Sequence, residues 1–219
     1  MSKTCASIFL FFSLVALSFS QKDSISFLAL GDSYTVGTSE SKMNSWPLQF
    51  VHQSRKKKIN IKTPTIIAKA GWTTTDLLKA IHTEKPKPNY DLVSLMVGVN
   101  NQYKRNDIGI FKKEFPLLLD QSIYLANGNP QNVIVLSIPD WSVTPFARFK
   151  DKKKIVQELD IYNSIIEQEA QKKGALFIEI TKMSKNALVN PSLIASDSLH
   201  PSRKMYRMWV KKIVKKTYN

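Results

Sequence analysis

Four short stretches carry residue types that do chemistry in combination. Gly31-Asp32-Ser33-Tyr34-Thr35 places a serine hydroxyl directly after an apolar run over residues 25–30. Gly71 and Gly98-Val99-Asn100 follow two further apolar runs, and Asp197-Ser198-Leu199-His200 sets a carboxylate three residues before an imidazole. A neutral serine hydroxyl is a poor nucleophile and needs an adjacent base. His200 can take the Ser33 proton, and Asp197 can reach the other ring nitrogen and fix the tautomer. A tetrahedral intermediate then needs donors aimed at its oxyanion. The backbone N–H groups of Ser33 and Gly71 and the side-chain amide of Asn100 supply three. The chemistry that these parts make together is acyl transfer.

Each stretch also has a plainer role. Asp32 and Ser33 suit the cap of a following helix. Asn100 suits a turn after Gly98. A lone Asp-x-x-His is ordinary surface sequence, and His52 and His82 sit in helix-like stretches and read as structural. What separates the two readings is whether one fold brings the four stretches together.

The apolar pattern predicts such a fold. Short β-branched or apolar runs at 25–30, 65–70, 91–97, 133–138 and 175–180 read as strands. Helical patterns lie between them. One opens near Trp46, with Ser45 as cap and Pro47 in its first turn. Others run over 76–82, over 107–126 with Pro116 expected to kink or divide it, and over 152–173 with Gly174 as C-cap. A basic helix follows Pro201, with Met205, Met208, Trp209 and Ile213 on one face. Strands alternating with helices predict one α/β domain with a five-stranded parallel sheet covered on both faces. Ser33, Gly71 and Asn100 then stand at the carboxyl ends of separate strands, where open α/β sheets place their ligands.

Composition narrows the chemistry further. The one cysteine, Cys5, lies outside the predicted domain, which excludes a disulfide framework, a thiolate metal site and a cysteine nucleophile. The three scattered histidines form no metal-binding pair, so no metal or other cofactor is expected. Residues 1–20 read as a signal peptide: Lys3, then an apolar stretch, then Ser18-Phe19-Ser20 with small residues at the cleavage positions. The expectation is an exported chain, periplasmic or extracellular, with a mature domain over 21–219. The full chain's 32 Lys and Arg against 17 Asp and Glu favour peripheral contact with anionic surfaces such as a membrane. No nucleic-acid motif is present.

Taken in order, the four stretches resemble the blocks of the SGNH hydrolases, also called GDSL esterases and lipases, of bacterial secreted type. Gly31-Asp32-Ser33 matches the nucleophile block, Gly71 the second, Gly98-x-Asn100 the third and Asp197-x-x-His200 the last. The resemblance implies a flavodoxin-like three-layer α/β/α sandwich and a serine hydrolase that acts on ester bonds without a metal. Asn101 departs from the family pattern, where Asp usually follows the oxyanion asparagine; that position is expected to support its loop. The usual α/β-hydrolase is rejected, because its serine sits in G-x-S-x-G.

The substrate stays open at this stage among lipid, lysophospholipid, short acyl ester and acetylated sugar. Trp46, Trp72, Trp141, Phe146 and Phe149 are candidates for a pocket wall or for the core. A non-catalytic basic module that holds an anionic polymer or membrane is the competing class, and it would tolerate loss of Ser33.

Overall fold

The computed structural model describes residues 24–218, so the signal-peptide expectation and Cys5 lie outside the described residues. Five strands form the sheet: β1 (Phe27–Gly31), β2 (Thr65–Ala68), β3 (Leu92–Met96), β4 (Val133–Leu136) and β5 (Leu176–Ile178). All pair in parallel, in the order β2-β1-β3-β4-β5. This is the flavodoxin-like order, with its switch point between β1 and β3. Every residue of β1, β3 and β4 is buried, as strands covered on both faces must be.

Among the described residues eight α-helices accompany the sheet: α1 (Ser33–Val36), α2 (Trp46–Lys56), α3 (Thr74–Glu84), α4 (Val99–Tyr103), α5 (Ile108–Leu125), α6 (Lys152–Lys173), α7 (Thr181–Ser184) and α8 (Arg203–Tyr218). α2 packs on α8, while α3 packs on α5 and α5 on α6. With right-handed crossovers, those two groups lie on opposite faces of the sheet, giving three layers. The core between them runs from Phe27, Trp46 and Phe50 through Leu95 and Val135 to Phe111, Phe115 and Ile166.

Register aligns the strand ends that matter. Gly31 pairs with Ala68 of β2 on one side and with Met96 of β3 on the other. The segments after β1, β2 and β3 therefore leave the sheet level and adjacent. Gly31 is required there: a Cβ would lie 2.2 Å from Thr35 Oγ1 and 2.5 Å from the Met96 carbonyl oxygen.

The structure departs from the sequence pattern in four places. α5 is one helix through Pro116 rather than two. An interior proline costs a helix about 3 kcal/mol, through one lost hydrogen bond and the clash of its ring with the preceding turn. Burial of Phe111, Phe115, Leu118 and Leu119 on that helix contributes roughly 2 kcal/mol for each side chain and outweighs it. Ser45 occupies the N-cap of α2 but donates its hydroxyl to the Lys42 carbonyl at 2.9 Å instead of accepting a helix N–H. α3 starts two residues early, because Thr73 and Asp76 form a capping box. The short α4 and α7 follow strand ends that carry no helical periodicity.

Candidate active site

At the end of β1 the chain turns at once into α1. Asp32 caps that turn, its Oδ1 accepting the Tyr34 N–H at 3.0 Å. Capping is thus a real part of what Asp32 does. Ser33 is the first helical residue, where a backbone N–H has no partner within its own helix. Tyr34 is buried, with its ring edge-on to His200 at 5.6 Å between centroids.

After β2 the chain makes a tight turn, closed by the Trp72 N–H to the Lys69 carbonyl at 3.2 Å. Gly71 sits third in that turn with φ of +82°, a conformation that favours glycine. Its carbonyl accepts from Lys104 Nζ at 2.8 Å. The turn is braced from below. Asn101 is fully buried; its Oδ1 accepts the Thr74 N–H at 3.0 Å and its Nδ2 donates to Thr74 Oγ1 at 2.8 Å. Thr74 and Thr75 both donate their hydroxyls to Glu114 of α5. Asn101 thus braces the segment after β2 rather than its own loop.

After β3, α4 carries Asn100 on its first turn. The Asn100 amide donates one hydrogen to the Trp72 carbonyl at 2.8 Å, which ties the second and third blocks together and leaves the other hydrogen for a bound group.

Asp197 and His200 close the site from the far end of the chain. The loop between them is folded tightly, with Ser198 at φ of +67° and the Ala195 N–H donating to the His200 carbonyl at 2.8 Å. Asp197 Oδ1 accepts the N–H groups of Leu199 and His200, and its Oδ2 lies 2.5 Å from His200 Nδ1. Ser39 adds its hydroxyl to the same Oδ2 at 2.6 Å. Partial burial pushes the Asp197 carboxyl up, but the bonds from Ser39, His200 and Leu199 outweigh it and hold the group well below the usual carboxylate range. The imidazole is thus held in one orientation by a carboxylate that stays ionised.

Ser33, Gly71, Asn100 and His200 line one cavity of about 160 Å³, together with Tyr34, Val99, Leu199 and three aromatic side chains. Those three are Tyr103, Trp141 and Phe146, whose ring centroids lie 5.6 to 6.0 Å apart. Trp141 is locked by its Nε1–H to Gln102 Oε1 at 2.9 Å, and Gln102 in turn donates to Glu158 at 2.7 Å. The five pocket candidates therefore divide. Trp141 and Phe146 belong to the cavity wall. Trp46 is fully buried against Phe27, Trp72 contributes its backbone, and Phe149 is exposed beneath the Arg148 guanidinium. His52 and His82 are exposed on α2 and α3. Ser39 and Tyr103 escape the sequence reading. Tyr103 lies three residues after Asn100, a helical spacing that puts both on one face. Nothing in the sequence signals Ser39.

A flavodoxin-like sheet with Gly-Asp-Ser after its first strand, and with Asp-x-x-His returning to the same cavity from the chain's far end, is the architecture of SGNH-type ester hydrolases. The chain belongs to the GDSL-like lipase/acylhydrolase family, whose model matches residues 29–208, and it is an ester hydrolase. No curated protein sequence matches it. Among solved structures, it is similar to the psychrotrophic esterase EstA from Pseudoalteromonas sp., at 13% identity and a TM-score of 0.67, over 89% of this chain and 96% of that one. It is also similar to the acetylxylan esterase Axe2 from Geobacillus stearothermophilus, at 17% identity and a TM-score of 0.67, over 89% and 94% of the two chains. TesA matches at 10% identity and a TM-score of 0.69, over 88% and 98%. At these identities the likeness is one of fold.

Proposed function

We propose that the protein hydrolyses carboxylic esters of lipids or of other small alcohols through an acyl-enzyme on Ser33. His200 takes the Ser33 proton as the hydroxyl attacks the ester carbonyl, then gives it to the leaving alcohol. Asp197 orients the ring and stabilises the imidazolium. The N–H groups of Ser33 and Gly71 and the free amide hydrogen of Asn100 receive the oxyanion. Water, activated by His200, then attacks the acyl-enzyme, and Ser33 leaves with its proton restored. The observation that carries this reading is the convergence of Ser33, Gly71, Asn100 and His200, from four separate segments, on one cavity.

The cavity's size and lining favour a short acyl group. At about 160 Å³ it is smaller than a typical drug-sized ligand site, and its wall is mainly aromatic and aliphatic. A longer chain has to leave past Tyr103 and Phe146, both partly open to solvent. A carbohydrate O-acetyl esterase is the second reading. The small acyl site and the exposed Tyr103 ring, a surface on which a sugar can stack, favour it, as does the fold shared with an acetylxylan esterase. The excess of basic residues suits peripheral contact with an anionic membrane surface. We further propose export, with residues 1–20 as the signal and the domain beginning at residue 21.

The test is turnover of p-nitrophenyl esters of increasing acyl length alongside an acetylated xylooligosaccharide, in the wild type and in Ser33→Ala. The reading expects short esters to be cleaved fastest and Ser33→Ala to lose on the order of 10³-fold or more in kcat. A folded Ser33→Ala protein with full turnover overturns it. A large preference for the acetylated sugar selects the second reading.

A further inference from the structure

The exposed apolar residues are not scattered over the molecule. Of the ten large hydrophobic side chains exposed among the described residues, Met43, Tyr103, Phe146, Phe149, Leu188 and Val189 lie in segments that follow the carboxyl ends of β1, β3, β4 and β5. The other four lie on α5 and α6, and none lies in the loops at the opposite edge of the sheet. Single exposed hydrophobes are ordinary, but their concentration on the edge that opens the cavity is not. Phe149 is 88% exposed and Val189 86%, so neither contributes much to the core.

Cations accompany these side chains. Arg148 and Lys150 flank Phe149, and the Arg148 guanidinium lies 5.0 Å from the Phe149 ring centroid. Lys182 and Lys185 precede Leu188 and Val189 on the same segment. None of these four cations is ion-paired with a described carboxylate. Nearby carboxylates are engaged internally. Glu40 accepts from Asn44 and from the Arg203 N–H, Asp140 from the Ser142 N–H, Asp151 from the Lys154 N–H, and Glu179 pairs with Lys212. Apolar side chains next to unpaired cations suit the boundary of an anionic leaflet, where the apolar part enters the interface and the cations meet headgroups.

We propose that the carboxyl edge of the sheet docks on an anionic phospholipid bilayer. Phe149, Leu188 and Val189 enter the interface, and Arg148, Lys150 and Lys185 lie against the headgroups. The cavity then opens onto the lipid. This rests on the proposed reading of the protein as an esterase that takes lipids, whose longer acyl chains leave the small cavity past Tyr103 and Phe146. α8 offers a different anionic contact. Lys204, Arg207, Lys211 and Lys215 form a stripe along that helix, which carries no acidic residue and no exposed apolar one. A partner held there by charge alone would bind the side of the molecule.

Sedimentation with vesicles separates these cases, using phosphatidylcholine alone and phosphatidylcholine mixed with phosphatidylglycerol. The wild type is expected to bind the mixed vesicles. Phe149→Ser with Val189→Ser should lower the partition coefficient on the order of tenfold or more. Arg148→Glu with Lys150→Glu should lower it by roughly tenfold. Both pairs should cleave soluble p-nitrophenyl acetate at the wild-type rate. Ser33→Ala should bind vesicles as the wild type does. Absence of wild-type binding overturns the proposal. So does binding that survives both edge pairs and is lost only in Lys211→Glu with Lys215→Glu, or retention of the wild type by an anionic polysaccharide but not by vesicles. If Ser33→Ala keeps full turnover while the edge pairs still weaken vesicle binding, the reading of Ser33 as nucleophile fails and the docking surface stands. If Ser33→Ala is inactive and no vesicles bind, only the docking surface fails.

Discussion

The Asp197 carboxylate lies 2.5 Å from His200 Nδ1, and the oxygen that makes this contact also accepts the Ser39 hydroxyl at 2.6 Å. Ser39 comes from the segment after β1 and Asp197 from near the chain's end, so this bond clamps the segment that carries Ser33 to the one that carries His200. It predicts a graded series. His200→Ala should lose on the order of 10³-fold or more in kcat, while Asp197→Ala should keep a small residual rate because the imidazole is present but poorly oriented. Ser39→Ala should cost roughly tenfold or less, as the remaining bonds still hold the carboxylate. Steady-state rates of the three folded variants check the order, and a Ser39→Ala loss equal to that of Asp197→Ala would contradict it.

Asn100 spends one amide hydrogen on the Trp72 carbonyl and presents the other to the cavity. A donor aimed at a developing oxyanion acts in the transition state more than in the ground state. Asn100→Ala should therefore lower kcat by about 10²- to 10³-fold with little change in KM. If KM alone moves, Asn100 positions the loop or the substrate instead.

Asn101 gives a prediction that tests packing rather than chemistry. Its Nδ2 donates to Thr74 Oγ1, and that hydroxyl gives its own hydrogen to Glu114. An aspartate at 101 cannot donate, so two carboxylates would compete for one hydroxyl hydrogen in a buried site. Asn101→Asp should destabilise by about 1–3 kcal/mol in denaturant unfolding, and Glu114→Gln should recover part of that loss. Additive effects of the two substitutions would show that the residues act independently.

The parts of this site were unequally legible in the sequence. The strands were readable because burial on both faces forces continuous apolar runs such as Phe27-Leu28-Ala29-Leu30 and Val133-Ile134-Val135-Leu136. Ser33, Gly71 and Asn100 were placed by their position after such runs, and the register of Gly31 with Ala68 and Met96 accounts for their meeting. Pro116 does not divide α5, because tertiary burial sustains a helix that local propensity opposes. Ser39 was invisible because its partner lies 158 residues away. Nothing in local sequence distinguishes Phe146, which lines the cavity, from Phe149, which faces solvent.

Asp32 precedes Ser33 with almost no exposure, and its ionisation should be readable in stability. Burial raises its carboxyl pKa from 3.8 to about 7, against the lowering effect of the Tyr34 N–H and of its own backbone. Between those values the folded protein keeps a proton that the unfolded chain has released. Stability should then fall as pH rises from about 4 to about 7, and level off above. Asp197 acts in a separate window: its pKa is lowered, so its contribution is present above about 4 and is lost only as pH falls further. Asp32→Asn keeps an acceptor for the Tyr34 N–H but cannot ionise. Relative to the wild type, this variant should gain on the order of 2 kcal/mol of stability between about pH 5 and about pH 8. Urea unfolding of both proteins across that range measures the difference. Parallel curves would show that the Asp32 carboxyl ionises as easily in the folded protein as in the unfolded chain, and that the cap beneath Ser33 carries its charge at no cost.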